Sequence, residues 1–323
     1  MSKAVVITAT GGPEKLEFRD WPVGDPGPGQ LRLRQHAIGV NFVDVYQRTG
    51  LYPVKPPFVA GNEGAGEVVA VGPGVSGFKP GDRVVYQGAP GAYAEERLLP
   101  AEKAVPLPDD ISWEQGAAVM LKGATAYYLL FRTYEVKPGT TLLWHAAAGG
   151  TGLIACQWAK SLGATVIGTA GSDEKVELAK ANGCDHVINY RTEDFAARTR
   201  ELTEGRGVDV VYDGNGKDTF EASLDCLRPL GLMVSFGNAS GPVSIPDLGI
   251  LARRGSLFLT RPTGAAYFAR REELLEAGRA LFGAIGSGAI KVAIGQRFPL
   301  ADAAEAHRAL EGRRTTGSTV LLP

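Results

Sequence analysis

Cysteine is scarce. Cys156, Cys184 and Cys226 are the only three in 323 residues, too few for a disulfide framework. None belongs to a C-x-x-C pair, which excludes a four-cysteine zinc lobe. An excess of one charge is also missing, since 34 basic and 35 acidic residues leave a net charge of −1. That balance argues against a polybasic binder of nucleic acid or of a membrane surface. No apolar run approaches the ~18–20 residues that cross a bilayer. Met1–Ile7 reads as a short strand and lacks the apolar region and cleavage site of a signal peptide, so the expected location is cytoplasmic. The four histidines, His36, His145, His186 and His307, are dispersed and form no metal-binding array. No repeat or low-complexity segment is visible.

What is abundant is glycine, with 43 residues, close to twice the usual ~7%. Without low complexity, this implies many tight turns and close backbone approaches. Up to about residue 110, short apolar runs such as 31–37, 66–71 and 82–86 alternate with Gly/Pro clusters at 24–29 and 72–77. This reads as an irregular, mostly antiparallel β domain. From about 112 the pattern changes. Ser112, with Gln115 three residues on, suits a capping box, and helical sequence runs to about Tyr134. Strands are then expected at 141–146, 165–169, 186–189, 208–212, 232–236 and 256–260. Helices are expected between them at 152–162, 173–182, 193–203 and 219–227. This alternation specifies an α/β fold with a doubly wound, parallel, six-stranded sheet. After about 262 come an amphipathic helix over 267–286, a short helix over 302–310 and a terminal strand at 318–322. This closing piece is too short to fold alone and is expected to rejoin the N-terminal β domain, which makes that domain discontinuous.

The sharpest motif lies between the first expected strand and the helix after it. Read against G-x-G-x-x-G, Ala147, Gly149 and Gly152 take the three glycine places. Gly149 would let backbone approach a pyrophosphate, and Gly152 would let helix pack on strand. The amides of Ala148, Gly149, Gly150, Thr151 and Gly152 would then face the anion. An NAD site usually has an acid at the tip of the second strand. Here that tip reads Gly171-Ser172 with no carboxylate, and Asp173 follows as first-turn charge behind an N-cap at Ser172. A small residue, a hydroxyl, Lys175 and nearby Tyr190 suit an adenosine 2′-phosphate, so the expected cofactor is NADPH.

Gly61-Asn62-Glu63-Gly64-Ala65-Gly66, the run 71–84 and the phosphate loop together resemble the medium-chain dehydrogenases/reductases. Within them, residues 37–53, 121–128, 145–160 and 233–238 are similar to the zinc-free NADPH:quinone oxidoreductases, the zeta-crystallin-like branch. The resemblance covers essentially the whole chain. It implies a Rossmann domain at 123–262 and a GroES-like catalytic domain formed by 1–122 and 263–323. Zinc-dependent relatives place a cysteine near position 41 and a histidine near 62. Here both are asparagine, a poor zinc ligand, so no metal is expected.

The resemblance also implies that Asn41, Asp44, Tyr46 and Tyr52 line the nicotinamide and quinone pocket of an interdomain cleft, with Asn41 and Tyr46 also touching cofactor. It places Thr125 and Tyr128 near the nicotinamide ribose and diphosphate, and Phe236, Gly237 and Asn238 beside the nicotinamide ring. Asn215 is carried over from a motif that reads Asp-Gly-Asn-Gly here. Arg261 and Arg314 are candidate cofactor contacts in loops. The activity implied is NADPH-dependent quinone reduction. An enone or enoyl-thioester reductase remains open, because a tyrosine could protonate the α-carbon. So does an NADPH-linked structural or RNA-binding role like that of some relatives, although near-neutral charge makes nucleic-acid binding unexpected. The apolar segment Gly255–Thr260 would be an edge strand, and the resemblance implies a homodimer formed through it.

Overall fold

Short apolar runs punctuated by glycine and proline pair into antiparallel sheets in the first hundred residues, as their alternation requires. In the computed structural model, which describes residues 2–323, the elements of this region are β1 (Ser2–Ile7), β2 (Leu16–Trp21), β3 (Gln30–Val40), α1 (Phe42–Thr49), β4 (Phe58–Val59), β5 (Glu63–Val71), β6 (Arg83–Gln87), β7 (Glu96–Pro100) and β8 (Val105–Pro106). α2 (Trp113–Tyr128) follows. Its capping box is formed as expected: the Ser112 amide donates to Gln115 Oε1 at 3.0 Å, and the Gln115 amide donates to Ser112 Oγ at 3.2 Å. The helix widens into a π turn over Leu129–Thr133.

The alternating segment contains β9 (Thr141–Trp144), α3 (Gly150–Ser161), β10 (Thr165–Ala170), α4 (Asp173–Lys180), β11 (His186–Asn189), α5 (Phe195–Leu202), β12 (Val208–Asp213), α6 (Phe220–Asp225), β13 (Leu227–Ser235), α7 (Gly249–Arg253), β14 (Phe258–Thr260) and α8 (Gly264–Tyr267). All six strands are parallel, in the order β11-β10-β9-β12-β13-β14. This is the order of a doubly wound dinucleotide fold, with its reversal between β9 and β12. The central strands β9, β10 and β12 are buried on both faces and accordingly apolar. Leu143, Ile167, Val211 and Met233 form their core with Phe220 and Leu224.

The chain ends with α9 (Arg271–Gly286), β15 (Ile294–Pro299), α10 (Ala303–Glu311) and β16 (Ser318–Leu322). β16 pairs antiparallel with β3, and the larger β sheet runs β15-β16-β3-β5-β6-β8, with β7 also on β3. The chain divides into two compact units. Unit 1 comprises residues 1–124, 268–282 and 292–323, and unit 2 comprises 125–267 and 283–291.

Three expectations about elements are corrected. α1 lies where only a glycine-punctuated stretch was read. β13 begins at Leu227, five residues earlier than expected. β14 begins at Phe258 and not at 255–256, because Gly255 (φ 104°) and Ser256 (φ 54°) are left-handed and cannot join a ladder.

Candidate functional site

Unit 1 brings three of the expected residues onto α1. Asn41 caps it, and the Asn41 amide donates to Asp44 Oδ2 at 2.9 Å. Tyr46 lies one turn along, 8% exposed, with its ring 5.1 Å from that of Tyr52 in an edge-on arrangement. Tyr52 is 38% exposed, and its amide donates to the Tyr46 carbonyl at 3.0 Å. The two rings therefore form one aromatic corner, open to solvent on the Tyr52 side.

Asp44, expected in the substrate pocket, is 1% exposed, and its oxygens are taken up internally. Oδ1 accepts from Asn62 Nδ2 at 2.8 Å, and Oδ2 accepts from the Tyr93 hydroxyl at 3.0 Å as well as from the Asn41 amide. Asp44 thus ties the start of α1 to Asn62 and Tyr93. Burial raises its pKa from 3.8 to about 6, against the lowering effect of these three donors.

The network continues through Tyr93 to His307 Nε2 at 3.0 Å, and from His307 Nδ1 to Arg48 at 3.1 Å. A guanidinium can only donate, so Nδ1 is the acceptor and Nε2 carries the proton. Tyr93 in turn accepts that proton's hydrogen bond and donates its own to Asp44. Burial, with the Arg48 charge adding to it, lowers the pKa of His307 to about 3, consistent with the neutral ring. Arg48 itself is 1% exposed and forks onto Glu311 at 3.0 and 2.7 Å.

A second buried cluster lies beside Asn41. Glu63 Oε2 accepts from Asn41 Nδ2 and from Lys122 Nζ, both at 2.9 Å, and Glu63 Oε1 accepts from the Leu121 amide at 2.6 Å. The side chains of Lys122 and Glu63 are 7% and 0% exposed. Asn41 and Asn62, at the two positions where zinc relatives place ligands, are committed to carboxylates: Asn41 to Glu63, and Asn62 to Asp44 and, at 2.7 Å, to Gln47. These residues do not fit a zinc ion. Among the described residues, no group of three or more His, Cys, Asp or Glu is placed to hold a metal.

Sequence reasoning missed the roles of Glu63, Lys122, Tyr93 and His307. An acid in an apolar strand and a lysine in an apolar helix were the available signals for the first two.

In unit 2 the loop between β9 and α3 takes the expected form. Gly149 is the N-cap of α3, and a Cβ on Gly152 would strike the Ala146 carbonyl and lie 2.7 Å from the Ala147 carbonyl. The third glycine thus permits the close helix–strand approach that the motif requires. Ala147 replaces the first glycine without a clash because its methyl lies against Gly168, which has no side chain of its own. The positive φ of the loop falls on Ala146 (54°). Ala148 is buried, while Gly150 and Thr151 are partly exposed at the helix start.

At the tip of β10, Ser172 caps α4, its Oγ accepting from the Lys175 amide at 3.4 Å. The Tyr190 ring covers Gly171 so closely that a Cβ there would meet the hydroxyl and lie 2.7 Å from Cζ. Gly171, Ser172, Lys175 and Tyr190 therefore gather at one corner. At the end of β13, Phe236 lies 5.5 Å from Trp144, and Gly237 follows it. Arg261 donates to the carbonyls of Ser235 (2.7 Å) and Gly237 (3.1 Å), so it braces this turn. The Asn215 amide donates to Asp213 Oδ1 at 2.7 Å, and the Asn215 carbonyl accepts from the Ser240 amide at 2.8 Å. Asn238 accepts from the Gly241 amide at 2.9 Å through its carbonyl. Tyr128 stacks on Tyr267 at 4.6 Å, and Thr125 lies one turn before it on α2. Arg314 is exposed in the turn after α10, in unit 1.

Residues 27–109 match the alcohol dehydrogenase GroES-like domain, and residues 150–277 match the zinc-binding dehydrogenase family. A quinone oxidoreductase of Pseudomonas aeruginosa is 56% identical over the whole of both chains. A 2-haloacrylate reductase of Burkholderia is 50% identical, covering 100% of this chain and 99% of its own. The crystal structure of Escherichia coli quinone oxidoreductase complexed with NADPH superposes with a TM-score of 0.98 at 51% identity, covering 99% of this chain and 100% of that one. The chain belongs to the quinone oxidoreductase family of the medium-chain dehydrogenases/reductases.

Proposed function

We propose that this protein is an NADPH-dependent quinone oxidoreductase. The observation that carries the reading is the full-length likeness to the E. coli quinone oxidoreductase solved with NADPH. The cradle made by Gly152 and the corner of Gly171, Ser172, Lys175 and Tyr190 fit such a cofactor. In this reading the amides from Ala148 to Gly152 hold the diphosphate at the start of α3, where the helix dipole favours an anion. Lys175 and Ser172 hold the 2′-phosphate. Phe236, Gly237 and Asn238, braced by Arg261, border the nicotinamide, while Thr125, Tyr128 and Asn215 contribute to its ribose and diphosphate.

When bound, NADPH supplies a hydride, and a quinone is electron-poor enough to accept one without a Lewis acid. The aromatic corner of Tyr46 and Tyr52 provides a flat wall and hydroxyl donors for the quinone oxygens as negative charge develops on them. Asn41, fixed by Glu63, sets the start of the helix that carries Tyr46.

The test is turnover with a panel of acceptors under saturating NADPH. The reading expects ortho-quinones to be reduced far faster than α,β-unsaturated carboxylates or ketones. Reduction of the unsaturated acids alone would move the chain to the C=C reductase alternative.

The reading extends to assembly and location. We place a homodimer contact at β14, which ends the parallel sheet, where Phe258, Leu230 and Leu248 are 61%, 58% and 69% exposed. A monomeric sedimentation profile at micromolar concentration would refute this. The three free thiols suit a reducing compartment such as the cytoplasm. Among the described residues, no helix is long and apolar enough to cross a membrane.

A further inference from the structure

The tips of β10 and β11 lie side by side, with Ala170 opposite Asn189 in the parallel register. Beyond them, the Tyr190 amide donates to the Ala170 carbonyl at 3.1 Å, which holds the two turns together. Asn189 is 8% exposed, and its side chain is fixed at both ends. Its Oδ1 accepts from the Arg191 amide at 3.1 Å, which orients the side-chain amide, and its Nδ2 donates to Asp173 Oδ1 at 2.8 Å. The Asn189 backbone amide donates to Glu193 Oε1 at 3.2 Å, and its carbonyl accepts from the Thr192 and Glu193 amides at 3.0 and 2.9 Å. Asn189 is therefore a rigid post, and its side chain grips the Asp173 carboxylate.

Asp173 is the first residue of α4, directly after Ser172 and two before Lys175. It is an exposed carboxylate at the corner that the proposed function assigns to the 2′-phosphate. An acid that could turn into that corner would repel a phosphate and favour the two bare ribose hydroxyls of NADH.

We infer that Asn189 is a specificity-determining positioning residue: by holding the Asp173 carboxylate against the β11 turn, it keeps the Gly171–Ser172–Lys175–Tyr190 corner selective for a 2′-phosphorylated nicotinamide dinucleotide. The inference rests on the NADPH reading. It adds that selectivity depends on restraining a negative charge as well as on supplying Lys175.

The test compares kcat/KM for NADPH and NADH at fixed quinone in the full-length enzyme. Asn189→Ala releases Asp173 and is expected to lower the NADPH/NADH ratio by about tenfold, the factor equivalent to ~1.4 kcal/mol. In an Asp173→Ala background, the same substitution should leave the ratio unmoved, because the charge it restrains is gone. Asp173→Glu changes only an exposed residue and carries its carboxylate past the reach of Asn189. It should lower the ratio in the same direction, which covers the case where Asn189→Ala fails to fold. A purely structural Asn189 would weaken both cofactors together and leave the ratio constant. That result, or an unchanged ratio with Asp173→Glu, overturns the inference while the parent reading stands. An unmodified enzyme with no preference for NADPH overturns both.

Discussion

Replacing Lys122 with methionine tests whether the buried Asn41–Glu63–Lys122 cluster holds unit 1 together. The ammonium lies 2.9 Å from a carboxylate that is fully buried, so Lys122→Met strands a charge that water cannot reach. Breaking a buried pair from one side costs ~3–5 kcal/mol. Two donors remain on Glu63, the Asn41 amide group at 2.9 Å and the Leu121 backbone amide at 2.6 Å. They place the expected loss at the lower end, ~3 kcal/mol. For a unit of this size that corresponds to a fall in Tm of ~6–12 °C. Methionine has nearly the length of the lysine stem, so lost packing contributes little. Adding Glu63→Gln removes the stranded charge but keeps an oxygen for the Leu121 amide, and the double variant should be more stable than Lys122→Met alone. Thermal unfolding of the four proteins by calorimetry gives the coupling energy directly. A cost below ~1 kcal/mol for Lys122→Met, the size of an exposed pair, would refute the reasoning, as would strict additivity.

Other outcomes follow from the same geometry. Gly152→Ala sets a methyl against the carbonyls of Ala146 and Ala147, backbone that has nowhere to move. It should cost ~1–3 kcal/mol and sharply weaken NADPH binding in a fluorescence titration, and wild-type affinity would contradict the fit. Tyr46→Phe and Tyr52→Phe separate ring from hydroxyl. Whichever hydroxyl bonds the reduced quinone oxygen should lower kcat/KM by about tenfold when removed, and no change in either variant would deny both a chemical role.

The pH dependence of stability has opposing parts. Asp44 titrates at about 6 in the fold, above its ordinary 3.8, so its contribution is complete below 3.8 and is lost as pH rises through 6. His307 titrates at about 3, below its ordinary 6.5, so its contribution is complete above 6.5 and is lost as pH falls toward 3. His307→Gln removes the second part. On going from pH 7 to about 4.5, the variant should gain stability relative to wild type by ~2–3 kcal/mol in urea titrations, and parallel curves would refute the assignment.

The Rossmann half was legible in the sequence because its signals are local. The Ala147–Gly152 loop, the Ser172 cap of α4 and the strand cores are each specified within a few residues. α1 was hidden because Asn41 with Asp44, a capping signal, was read for chemistry and not for structure, and the helix is only eight residues long. β14 is shorter than its apolar run because Ser256 adopts a left-handed backbone that nothing in its composition announces. The buried networks were least legible. Arg48 meets His307 across 259 residues and Tyr93 meets it across 214, and only the folded β3–β16 pairing brings them together. For the same reason the partners of Asp44 were not legible: Asn62 and Tyr93 reach it from 18 and 49 residues away.

The most direct test of the function is the rate of nicotinamide oxidation with an ortho-quinone, measured with NADPH and with NADH at equal concentration. Rapid oxidation that strongly favours NADPH is the predicted result. NADPH binding without quinone reduction, or equal rates with the two cofactors, would contradict it.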